Sequence, residues 1–308
     1  MQSENNTNVN TPVQVLHAGA LTTLVRARLA PALRLTYGIA LESQPGHSVA
    51  LALAIKEQHL RGDIYLSADA EANQILLEPT SQQRMRAFIT FAGNALVLAY
   101  SPQSRFVADF EQARQGARPW YEVLLQAGCQ LRRNNPHHDP LGYYTLLVCR
   151  LAAEYYQMPD LAQRLLGDAT NPEQVKEAHI ADLERGEIDA LFLYASGAVE
   201  RHLPFISLPA EINLSKPAQA ASYAKVQFTT DSGHTFHGKP INFSAAVLND
   251  AANPQAAWQV VAFLLSEAGQ QLVQAAHFLP GSALVGGDAT TIPRPIQALL
   301  KGTYRSSN

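Results

Sequence analysis

Val13-Gln14-Val15-Leu16-His17-Ala18-Gly19-Ala20 is the stretch that decides the fold. Its first five residues read as a buried strand. The small residues after them make a tight turn, and an apolar helical period runs on over about 21–33. The same grammar recurs downstream. Residues 35–41 predict a second strand and Gln44-Pro45-Gly46-His47 a turn, with Ser48 as N-cap of a helix to about 59. Residues 62–67 predict a third strand, and Asp69 is placed to cap the helix after it. Strands alternating with helices predict an α/β fold with a largely parallel sheet.

Composition narrows the class. The chain has 308 residues, 47% hydrophobic and 16% charged, with a formal net charge of -3. That length suits two domains. No basic block suggests a nucleic-acid surface. No apolar run is long enough to predict a membrane span. Cys129 and Cys149 are the only cysteines, which excludes a disulfide scaffold and a cysteine zinc site and favours two buried thiols over a single bridge. Residues 1–12 are polar and asparagine-rich, without the basic and apolar regions of a secretory signal, and are expected to be a disordered leader.

Residues 95–100 form another apolar strand, read as the exit from a first lobe. Helices are expected over 120–125, 140–157 and 173–185, and strands over 129–132, 190–194 and 205–208. Further strands at 225–228 and 239–245 lead back to helices at 254–265 and 268–276. The expected organisation is a discontinuous lobe I, 13–98 plus 242–308, and a lobe II, 99–241. Two chain crossings would form a hinge.

Three turns deliver helix N-termini: Ala18-Gly19-Ala20, Gly46-His47-Ser48 and His138-Asp139-Pro140. A helix N-terminus carries unpaired N–H groups and about half a positive charge, and so suits an anion. Open sheets place ligands beyond the carboxyl ends of their strands. Two acidic segments stand beside these turns, 135–143 around Asp139 and 208–214 around Glu211. A carboxylate aimed at an anion makes sense only for an unusual ligand.

Ordered blocks of this sequence resemble the periplasmic tungstate- and molybdate-binding proteins of ABC importers, in their archaeal-type branch. They include Leu16-His17-Ala18-Gly19-Ala20-Leu21, Ser48-Val49-Ala50, Asp63-Ile64-Tyr65-Leu66-Ser67-Ala68-Asp69, residues 91–100 and 135–143, and Leu208-Pro209-Ala210-Glu211-Ile212-Asn213-Leu214. Ala221-Ser222-Tyr223, Lys239-Pro240-Ile241 and Phe278-Leu279-Pro280 complete the set. The resemblance implies a type II periplasmic-binding-protein fold of two lobes, each a mostly parallel sheet flanked by helices. It implies a tetrahedral oxyanion, tungstate or molybdate, held between the lobes and handed to a membrane permease. The ligand would be cargo and no cofactor is implied. The protein would act as a monomer in the periplasm or outside the cell.

The same resemblance assigns site residues. Ala20 replaces a family serine, so only its backbone N–H is left to donate. Ser48 matches the second-turn serine. Asp139 and Glu211 match two carboxylates that complete an octahedron about the tungsten or molybdenum centre. Tyr223 matches a tyrosine that reaches the anion. Gly19, His47 and His138 are possible additions. A W(VI) or Mo(VI) centre is a hard acceptor suited to oxygen ligands. Sulfate or phosphate would instead face like charge, costing on the order of 4 kcal/mol for unit charges ~4 Å apart at an effective dielectric of about 20. Protonated carboxyls that donate hydrogen bonds are the alternative.

Ala20, His47, His137 and His138 depart from the family pattern and keep open a receptor for a different small solute. His137-His138-Asp139 as a cation site lacks a second cluster of ligands. Ser48 and Asp139 could be plain helix caps, Glu211 a solvated loop charge and His17 a packed strand-end residue. An enzyme reading has little to rest on, with no Gly-x-Ser-x-Gly, Gly-Lys phosphate loop or His-Glu-x-x-His.

Overall fold

The computed structural model describes residues 11–78, 83–167 and 180–306. The expected leader, and the start of the helix expected at 173–185, lie outside these residues. Among them are fourteen strands in chain order: β1 (Val13–Ala18), β2 (Leu41–Gly46), β3 (Ile64–Ser67), β4 (Ala87–Gly93), β5 (Leu96–Tyr100), β6 (Leu131–Arg132), β7 (Ala190–Tyr194), β8 (Phe205–Ser207), β9 (Gln227–Thr229), β10 (Thr235–His237), β11 (Asn242–Val247), β12 (Leu279–Pro280), β13 (Leu284–Gly287) and β14 (Gly302–Thr303).

The chain divides into two units. The first takes the chain up to Phe91, then Ser244–Ala275 and Ser282–Tyr304; the second takes Ala92–Phe243, Ala276–Gly281 and the residues from Arg305. The backbone therefore passes between units more often than the two crossings expected. Two of the added passages have a local cause: Leu279 and Pro280 pair antiparallel with Gly93 and Ala92, which ties the 276–281 segment to the second unit.

The first unit is built on a sheet ordered β14-β13-β4-β11-β3-β1-β2. β1 lies between β2 and β3 and is parallel to both. Five of its six residues are buried. Such a two-sided apolar run is what a covered parallel strand requires. β11 and β13 run antiparallel to β3 and β4, so the sheet is mixed rather than largely parallel. The returning chain supplies these reversed strands.

The second strand is not where periodicity places it. Residues Ala30–Tyr37 are helical, closed by Gly38 at φ 69°, and the strand is Leu41–Gly46. Leu33 is buried on the helix while Leu35 is 90% exposed, so these residues show one buried and one open helical face. β2 is polar because it is an edge strand, and Pro45 is tolerated there for the same reason. The helical run before Ala30 begins as a 3-10 turn, Gly19–Leu21, and widens to a π-helix, Leu24–Leu29.

The second unit holds a four-stranded sheet ordered β6-β7-β5-β8 and a β9–β10 hairpin. β5, read from sequence as the exit from lobe I, lies inside this sheet, antiparallel to β7 and β8. Its apolar run signals burial, and burial does not say in which sheet. The helix Pro140–Tyr155 packs here with thirteen of its sixteen residues buried. The helices Pro254–Leu265 and Glu267–Ala275 stand where sequence places them, within a residue. Both cysteines are free thiols, each pushed up to about 12, chiefly by burial.

Candidate functional site

In the first unit, register brings the candidate turns together. Ala18 pairs with Gly46, and His17 pairs with both Pro45 and Leu66. The carboxyl ends of β1, β2 and β3 therefore release Gly19-Ala20, His47-Ser48 and Ala68 along one edge. Gly19, Ala20 and His47 are exposed. The first residues of a helical run have no intrahelical acceptor for their N–H groups, so this edge presents backbone donors.

Ser48 lies behind that edge and is fully buried. The N-cap position is His47, whose side chain makes no capping bond, and Ser48 is the first helical residue, so the expected Ser48 cap is not formed. Its Oγ accepts the Ala68 N–H at 3.1 Å, and its carbonyl accepts the Tyr65 hydroxyl at 2.7 Å. These bonds tie the second turn to the end of the third strand. Asp69 caps the next turn, accepting the Glu71 N–H at 2.9 Å. Tyr65 and Ala68 were invisible as site residues. Only the register of β3 against β1 places them here.

His17 is a packed strand-end residue. Its Nδ1–H donates to the Ala18 carbonyl at 2.9 Å, and Nε2 is buried without a protein partner. Burial and, to a lesser degree, Arg26 lower its pKa and keep the ring neutral.

In the second unit, Asp139 caps the Pro140–Tyr155 helix. Oδ1 accepts the Leu141 N–H at 3.1 Å, and Oδ2 accepts from the Asn134 amide. Asp139 N–H donates to the Asn135 carbonyl at 3.0 Å. The turn is closed further by Gly142, where a Cβ would stand 2.7 Å from the backbone of Asn135 and Pro136. Glycine in Asp-Pro-Leu-Gly-Tyr is thus a packing requirement of this loop. His138 is exposed beside Asp139. His137 is buried edge-on against Phe228. Its Nδ1 accepts the Asp231 N–H at 3.1 Å. Nδ1 also lies 3.2 Å from the Asp231 carboxylate, and Nε2 is buried with no protein partner.

Glu211 stands exposed on the turn after β8. Its charge contributes to raising the hydroxyl pKa of Tyr223 and of Tyr156, in both cases behind burial. Tyr156 comes directly after the last residue of the helix that Asp139 begins, and sixteen residues of helix span about 24 Å. The two carboxylates belong to different elements of the second unit. Tyr223 is buried, with its hydroxyl donating to the Ala210 carbonyl and facing the Lys216 N–H at 3.4 Å. Among the described residues no group of three or more His, Cys, Asp or Glu side chains is placed to hold a metal cation.

Two α/β units, with candidate binding turns at strand ends and helix starts, define the class: a two-lobe, type II periplasmic-binding-protein fold. The solved periplasmic molybdate-binding protein of Azotobacter vinelandii shares that fold at TM-score 0.61 and 17% identity, over 88% of this chain and 100% of that one. The chain belongs to the bacterial extracellular solute-binding protein family, whose model matches residues 13–279. An uncharacterized solute-binding protein of Halobacterium salinarum is 30% identical over 84% of this chain and 81% of its own length. The molybdate/tungstate-binding protein WtpA of Pyrococcus abyssi is 30% identical over 70% of this chain and 67% of its own. A Haloferax volcanii protein, named as a candidate ABC transporter molybdenum-binding protein, is 40% identical over 60% of this chain; the match spans 58% of that protein, less than two thirds.

Proposed function

We propose that this protein is an extracytoplasmic receptor that captures tungstate or molybdate and delivers it to an ABC permease. The observation that carries this reading is the edge formed by Gly19-Ala20, His47-Ser48 and Ala68 at the ends of three adjacent parallel strands. Backbone donors there suit the oxygens of a tetrahedral anion. The names of relatives such as the Pyrococcus abyssi protein supply the choice of anion. No helix among the described residues is long and apolar enough to cross a membrane, which accords with a receptor that meets its permease from outside.

In this reading binding of the anion shifts the protein to the form that the permease recognises. Gly19, Ala20 and His47 donate from the first lobe, with Ser48 supporting them. Asp139 and Glu211 are the carboxylates offered to the W or Mo centre, with His138 beside Asp139. The protein works as a monomer and performs no chemistry on its cargo.

The test is calorimetric titration and thermal melting with tungstate, molybdate, sulfate and phosphate. A ligand bound only by the folded state adds about 2.7 kcal/mol of stability at 100 times its dissociation constant. Tungstate and molybdate are expected to raise the melting temperature strongly, and sulfate and phosphate weakly. If none of the four moves it, the oxyanion reading is wrong.

A further inference from the structure

The β9–β10 hairpin of the second unit has one apolar face and one polar face. Phe228 and Phe236 are partners in its register and both are buried, while Gln227, Thr229 and Asp231 are exposed. Side chains alternate along a strand, so the two rings share the covered face. A lone two-stranded hairpin is marginal in water and needs something to pack against. The Pro140–Tyr155 helix supplies it. The Phe236 ring stacks on Tyr143 at a centroid distance of 4.3 Å and an interplanar angle of 8°. Arg150, about two turns further along the helix, donates from its guanidinium to the Gln227 carbonyl.

A third anchor lies at the hairpin tip and reaches beyond the helix. Gly233, at φ 84°, donates its N–H to the Thr230 carbonyl at 2.9 Å and closes the tip. Asp231 in that tip gives its N–H to His137 Nδ1 at 3.1 Å, and its carboxylate stands 3.2 Å from the same nitrogen. The Asp231 side chain is 80% exposed, yet the His137 ring it meets is buried, 5.2 Å from the Phe228 ring. His137 itself belongs to the Asp139 loop. Its N–H donates to Asn135 Oδ1 at 2.9 Å, and the Asp139 N–H donates to the carbonyl of the same Asn135 at 3.0 Å. The His137 ring, the loop backbone and Asp139 thus form one hydrogen-bonded group, and the hairpin tip grips that group through the ring.

We propose that His137 is a positioning residue for oxyanion binding: it latches the β9–β10 hairpin to the Asp139 loop and so holds the Asp139 carboxylate ready for the anion. This rests on the reading in which Asp139 meets the W or Mo centre. A carboxylate held in place before the ligand arrives has less freedom to lose on binding, so the latch acts on affinity. His137→Phe keeps a flat ring against Phe228 and removes only Nδ1. His137→Asn gives up the ring and returns an acceptor, because its Oδ1 branches from Cγ as Nδ1 does.

The test uses the full chain, tungstate titration calorimetry and amide hydrogen exchange without ligand. His137→Phe is expected to speed exchange in peptides spanning 134–142 and 230–234. It is expected to weaken tungstate binding about 3- to 10-fold, the net worth of one hydrogen bond expressed as affinity. His137→Asn is expected to recover most of that loss. Were ring packing all that mattered, the phenylalanine variant would bind as wild type does and the asparagine variant would not. That order, or no recovery with asparagine, overturns the proposal. In an Asp139→Asn background His137→Phe is expected to cost no further affinity, because the carboxylate it positions is already gone. An equal further loss there means that His137 acts other than through Asp139, and overturns the latch while the function stands. If Asp139→Asn binds tungstate as wild type does, the role of Asp139 falls, and this proposal falls with it.

Discussion

The turns of the first unit and the turns of the second solve opposite problems. Gly19-Ala20 and His47-Ser48 are positioned by the sheet itself, through the register of β1 with β2 and β3. Their exposed groups are backbone. Asp139 and Glu211 stand on loops, and each loop is shaped by side chains: Asn134, Asn135 and Gly142 around one, Asn213 and Tyr223 around the other. A sheet edge fixes donors cheaply, because its hydrogen bonds already exist for folding. A carboxylate aimed at an unusual partner needs its own scaffold. Side-chain changes are therefore expected to disturb the second region more than the first.

The largest effect is expected at Gly142. Replacing a helical glycine by alanine ordinarily stabilises by about 1 kcal/mol. Here the new Cβ would meet the backbone of residues 135 and 136 at 2.7 Å, and backbone cannot rotate away. Overpacking of this kind costs about 1–3 kcal/mol. Gly142→Ala should lower the melting temperature and weaken tungstate binding, because the Asp139 turn must move. A variant as stable as wild type would break the claim that this loop is tightly scaffolded.

Ser48→Ala comes next. It leaves the buried Ala68 N–H without its acceptor, at a cost of about 1–3 kcal/mol. Melting should register that loss. If backbone donors carry the first region, tungstate affinity should fall less than it does in Asp139 variants. A greater fall than in those variants would assign the anion to the Ser48 hydroxyl directly.

Asp139→Asn separates charge from capping, because asparagine caps a helix about as well as aspartate. Stability should change by less than about 0.5 kcal/mol, while tungstate affinity falls. Combined with Glu211→Gln, the losses should be non-additive if both carboxylates share one centre. Strict additivity would separate them.

How much of the molecule was legible depended on what each signal encodes. The strand at Val13–Ala18, the Asp139 cap and the Pro254–Leu265 helix came from local period and capping chemistry. The edge strand Leu41–Gly46 did not, since a polar edge lacks the apolar mark that sequence reading relies on. Leu96–Tyr100 was visible as a strand, but its partners β7 and β8 come from residues about a hundred positions away. The same limit hid Ala68 behind Ser48 and the contact of Tyr223 with Ala210, which depend on pairing and packing at long range.

The smallest effect sharpens the comparison most. Ala20 is exposed on the 3-10 turn Gly19–Leu21, so Ala20→Ser should leave stability within about 0.5 kcal/mol of wild type. The hydroxyl it adds stands where resemblance implies a serine. If the first region holds the anion by backbone N–H groups alone, titration should show unchanged tungstate affinity. If a hydroxyl there completes the donor set, affinity should rise by up to about tenfold, the value of one added charge-assisted hydrogen bond at about 1.4 kcal/mol per decade. The contrast between the two regions favours the first outcome, because the edge is organised by strand register and not by side chains. A tenfold gain would make the two regions alike, with side chains selecting the anion on both.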